Sequence, residues 1–242
     1  MINETVAKIK ADLKSHTDGR YTVSCLGFSK LEIPLCESQC RFTYYSRNET
    51  LRFTWPTFIH AGGASWLKDW AVAMERREMV KEQSLSVYHG VELYRFQGPF
   101  EGSKKNPKAG LWPRIRVWPP VVVEVGYGES DEDLLSGTDI LLEGPKGCIG
   151  LHKYCKDTGR RVKVGSRMQL YPPPANHSQQ CIEFSWYEIL RNKKSDLCIT
   201  EEAPPPMYLD DLRAEIDEGV EHHLKFENGE LDDDGSDDEE IL

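Results

Sequence analysis

The chain has 242 residues, 39% of them hydrophobic, which suits one large globular domain with a tail. No apolar run approaches the roughly 20 residues that span a bilayer, so the sequence offers no membrane-spanning helix. Residues 201–242 hold 17 acidic and 2 basic residues, a net −15; the whole chain is −10, so residues 1–200 carry about +5, a body that allows a polyanionic partner without demanding one.

In chain order, Ile2, Val6, Ile9 and Leu13 recur at helical spacing and predict an amphipathic helix over 3–14. Residues 41–45 and 51–55 read as two strands of a hairpin around Ser46-Arg47-Asn48-Glu49. Ile59, Gly63, Trp66, Leu67, Trp70 and Met74 mark one face of the next helix, with His60 at its start as a packed core residue. A short strand is expected over 91–96. The valine-rich run 121–127 predicts a central strand beside residues 110–114. Ser130 is placed to cap a helix over 131–143 with the stripe Leu134, Leu135, Leu141 and Leu142. Residues 148–154 and 161–170 form a second hairpin, and Ser185-x-x-Glu188 is a capping box. After the triple proline 204–206, Leu209, Leu212 and Ile216 allow a brief helix, and the segment after Asn228 is too acidic to bury a core.

This order predicts a mixed α+β fold, a mixed sheet flanked by helices, in one domain over 1–200 followed by an acidic, largely disordered tail over 201–242. Met1-Ile2-Asn3-Glu4 lacks the basic-then-apolar pattern of a signal peptide. Seven irregularly spaced cysteines read as free thiols. Both point to an intracellular location, cytoplasm or nucleus.

Glu124 is the informative residue. It lies among Val121, Val122, Val123 and Val125, where an unpartnered carboxylate would cost several kcal/mol. Two placements fit the pattern: a buried, partnered Glu124, or one facing solvent while Val121, Val123 and Val125 face the core.

The stretch from Gly102 through Pro107-Lys108 to Trp112-Pro113, then Trp118-Pro119-Pro120 and Glu124-Val125-Gly126-Tyr127, resembles the PD-(D/E)XK nuclease superfamily, and within it the small restriction-endonuclease-like proteins. The resemblance covers about residues 40–192. It implies a restriction-endonuclease-like fold, with Mg²⁺ held by carboxylates at adjoining strand ends and a lysine beside the attacking water. Glu124 matches the family's second acidic position. Lys108 stands where the family has its first aspartate, and Gly126 where it has its lysine; the helix over 131–143 contains no lysine. The residues available to substitute are Glu101, Glu129 and Asp131 as metal ligands and Lys104 or Lys105 as the catalytic cation. Two outcomes stay open: Mg²⁺-dependent phosphodiester hydrolysis, or a catalytically inactive binding or protein-interaction module without cofactor.

Lys108, Arg160, Arg161, Lys163 and Arg167 are candidate nucleic-acid contacts, the last four on a basic second hairpin whose other reading is a solvated ribbon. Cys148, His152 and Cys155 have zinc-ligand chemistry, but strand alternation turns Cys155 away from the other two.

Overall fold

The computed structural model describes residues 20–24, 41–55, 57–114, 116–126, 131–145, 149, 152–155, 160–163, 168–191 and 194–230; residues 20, 21, 23, 131–133, 152–155 and 160–163 are described by their backbone alone. Alternation of polar and apolar residues builds the first sheet. In β2 (Arg41–Tyr45) and β3 (Thr50–Thr54), Tyr44, Leu51 and Phe53 are buried on one face, and Arg41, Thr43, Tyr45, Arg52 and Thr54 take the other. β1 (Arg20–Ser24) pairs with β3, and β5 (Lys104–Lys105) with β2. The second sheet has β4 (Leu85–Tyr88), β6 (Ala109–Pro113) and β7 (Val121–Val123) in that order. β5 and β6 lie on one stretch of chain, so the two sheets meet at Asn106-Pro107-Lys108.

Helix α1 (Phe58–Arg76) lies on the second sheet and buries Ile59, His60, Gly63, Trp66, Leu67, Trp70 and Met74, the expected face. A Cβ at Gly63 would sit 2.5 Å from Val125 Cγ2 and 3.0 Å from Val123 Cγ1, so the helix rests directly on that strand. Helix α2 (Asp131–Glu143) covers the other side. Its Ile140 and Leu141 pack with Leu93, Phe96 and Trp112, and Val122 joins them. The stripe is thus turned from the expected one: Leu135 is exposed and Ile140 takes the buried place.

The second hairpin forms from β8 (His152–Cys155) and β9 (Arg160–Lys163). β10 (Cys181–Ile182) pairs with β11 (Met207–Tyr208). Helix α3 (Trp186–Leu190) starts in the expected capping box: the Ser185 N–H donates to Glu188 Oε2 at 2.7 Å and the Glu188 N–H to Ser185 Oγ at 3.3 Å. A short α4 (Lys194–Leu197) precedes α5 (Leu209–Glu227). No helix among the described residues is long and apolar enough to cross a membrane.

The mixed α+β class is the expected one, with four corrections. Every strand pair described is antiparallel, where a mixed sheet was expected. The valine run gives the three-residue β7, an edge strand among the described residues, with β6 central. Helices cover both faces of β7, and burial by helices writes the same apolar run as burial in a sheet centre. The strand expected over 91–96 is instead β4; Leu93 makes only an isolated bridge to Lys105, and Leu93 and Phe96 are apolar because they pack beside α2.

Finally, the fold continues past residue 200. Helix α5 packs on α1 at two glycines: a Cβ at Gly62 would lie 2.8 Å from Glu215 O, and one at Gly219 2.8 Å from Phe58 O. Buried Arg213 ties α5 down, its Nε donating to Leu170 O at 3.0 Å and its guanidinium pairing with Asp210 at 2.6 Å. The helix expected over 3–14 and the tail from 231 to 242 lie outside the described residues.

Candidate functional site

Thr43 stands opposite Arg52 on one side and Lys105 on the other, so β3, β2 and β5 set Arg52, Thr43 and Lys105 in a row on the polar face. Arg41, two residues before Thr43, shares that face. Lys104 is one residue out of phase and ion-pairs with Glu92 at 3.3 Å. Lys108 enters from the junction of the two sheets, and Glu124 from the end of β7. Val123 and Val125 face α1, so Glu124 takes the opposite side with Val122. The buried, partnered placement of Glu124 is the one observed; the alternative is half right, since Val123 and Val125 do face the core, but Lys105 rather than water meets the carboxylate. Lys105 Nζ donates to Glu124 Oε2 at 3.3 Å.

Arg41, Arg52, Lys105, Lys108 and Glu124 line one small cavity with Tyr45 and Gly137. Its interior, about 20 Å³, has room for roughly one water molecule, too little for a small-molecule substrate. Among the described residues, four cations against one carboxylate leave a formal charge of +3 on its walls. Lys105 and Lys108 are only 5% and 4% exposed, so their ammonium groups have lost most of their hydration. Glu124 Oε1 and one Arg41 guanidinium nitrogen are buried without a hydrogen-bond partner among the described residues. Gly137 of α2 closes the cavity; a Cβ there would sit 3.1 Å from Lys105 Nζ.

Two histidines register the positive field. Burial, then Lys108 and Arg41, push His60 from an ordinary 6.5 down to about 3. Burial, then Arg41 and Lys68, also lower His89. His60 is the packed, hydrogen-bonded residue expected from its position: its Nδ1 accepts the Thr57 N–H at 2.9 Å.

The described donors do not by themselves make a Mg²⁺ site. The ion requires oxygen ligands, and the described side chains supply one carboxylate that already holds a lysine, amid three further cations that repel a divalent ion. Among the described residues no three His, Cys, Asp or Glu side chains gather as a metal site.

Of the sequence-derived candidates, Glu124, Lys105 and Lys108 come together. Lys104 points away, and Glu101 is exposed in the turn before β5. Asp131 opens α2, and Arg160, Arg161 and Lys163 lie on β9, all described by backbone alone; Glu129, Arg167 and Cys148 lie outside the described residues. Arg41, Arg52 and Tyr45 were not singled out from the sequence, although the polar members of 41–45 and 50–54 alternate strictly. No protein-family model, curated protein or solved structure matches the chain.

Proposed function

We propose that this is an intracellular protein that binds the phosphate backbone of nucleic acid, a restriction-endonuclease-like chain without Mg²⁺-dependent hydrolysis. The observation that carries this reading is the convergence of Arg41, Arg52, Lys105 and Lys108 on one cavity holding a single carboxylate. Cations already stripped of water give a phosphate oxygen charge-assisted hydrogen bonds at little further desolvation cost. The cavity takes one such oxygen, the rest of the phosphate remaining at its mouth. Glu124 holds Lys105 in place and offsets part of the cations' mutual repulsion when no anion is present. The free thiols of Cys181 and Cys198 accord with a reducing compartment.

The test is fluorescence anisotropy of a labelled oligonucleotide in EDTA at several salt concentrations, comparing the wild type with Lys108→Met. Binding that weakens with salt is expected, with the variant's log–log slope shallower by about one phosphate contact. Equal slopes would remove Lys108 from the interface, and absence of binding at low salt would reject the function.

A further inference from the structure

A second cavity adjoins the cationic one across Tyr45, whose side chain lines both. It measures about 400 Å³, within the range of ligand pockets. Tyr45 and Phe100 give it aromatic walls, and Arg47, Asn48, Ser103, Ser136 and Asp139 give it polar ones. One wall is held firmly: Ser103 is 2% exposed, and its Oγ accepts the Ser46 N–H at 3.1 Å and bonds the Ser46 hydroxyl at 2.9 Å. Tyr45 is fixed to the phosphate side, because Arg52 donates to its hydroxyl at 3.2 Å and lies 5.2 Å from its ring centroid.

We propose that this cavity receives one unstacked nucleobase whose phosphate sits at the mouth of the cationic cavity with one oxygen inside it, so that the ligand is single-stranded nucleic acid. The proposal rests on the phosphate reading above and adds the substrate class. A paired base in a duplex is stacked on its neighbours and cannot enter, whereas a single strand presents its bases to aromatic side chains. The wall chemistry also selects among bases. The Asp139 carboxylate only accepts hydrogen bonds and the Arg47 guanidinium only donates them, so together they favour bases that carry both an exocyclic amine and a carbonyl, cytosine and guanine, over thymine and uracil, which lack the amine.

The experiment is anisotropy in EDTA with oligo-deoxycytidine, oligo-deoxythymidine and a duplex of equal length. The proteins are the wild type, Phe100→Leu, Phe100→Tyr, Asp139→Asn and Lys108→Met. Oligo-deoxycytidine is expected to bind about five-fold or more tighter than the other two. Phe100→Leu should weaken both single strands and leave the duplex unchanged, and Phe100→Tyr, which keeps the ring, should retain wild-type affinity. Asp139→Asn should erase the difference between cytosine and thymine, and Lys108→Met should weaken all three ligands. Duplex binding as tight as single-strand binding, with Phe100→Leu inert, would overturn the base pocket; if Lys108→Met still weakened binding, the phosphate site would stand. Failure of every oligonucleotide to bind would overturn both.

Discussion

His60 links the charge of the site to stability. Its folded-state pKa of about 3 lies below the ordinary 6.5, so as pH falls the unfolded chain takes up the proton first. The contribution of neutral His60 is complete above about 6.5 and is lost progressively as the pH falls toward 3. Urea midpoints measured from pH 7 to pH 5, where carboxylates contribute little, should fall in the wild type and fall less in His60→Gln; toward pH 3 the difference reaches the order of a few kcal/mol. Parallel curves would mean that His60 is not held neutral. At this scale the predicament of Glu124 was legible, because flanking valines leave a carboxylate few places to go. The identity of its partner was not: Lys105 is 19 residues away, on a strand of the other sheet. Lys108, read as the cation in a vacated ligand position, does line the same cavity.

Among the elements, α2 carries an instructive glycine. Gly137 lies inside the helix, where glycine costs about 1 kcal/mol relative to alanine, and its missing Cβ leaves space for the Lys105 ammonium 3.1 Å away. Gly137→Ala is therefore expected to leave the melting temperature unchanged or raise it, while displacing the ammonium and weakening oligonucleotide binding. Thermal unfolding and anisotropy on the same preparation check both halves; undiminished affinity would show that the position of Lys105 is immaterial. The hairpins, α1 and α3 could be read locally, since turn residues, an amphipathic stripe and a capping box are written into contiguous sequence. The rank of β7 in its sheet could not, because strand order depends on which distant segment pairs with which.

For the whole molecule, the boundary at residue 200 was misread because acidic composition conceals the packing of α5. Its contact with α1 depends on the absence of a side chain at Gly62 and Gly219, which hydropathy does not register. Gly219→Ala is expected to destabilise the protein by about 1–3 kcal/mol, read from the denaturant midpoint, since the new Cβ would meet backbone rather than a yielding side chain. Truncation at residue 200 should cause a larger loss, because it strips Met207, Leu209 and Arg213 from the core, and an undiminished midpoint would show α5 to be dispensable. The central claim, that four cations around one carboxylate receive a phosphate rather than a divalent metal, is tested most directly by oligonucleotide affinity of the wild type and Glu124→Gln, measured side by side in EDTA. Removing the only negative wall charge among the described residues should tighten binding several-fold. Loss of binding in the variant, or wild-type binding that requires added Mg²⁺, would contradict it.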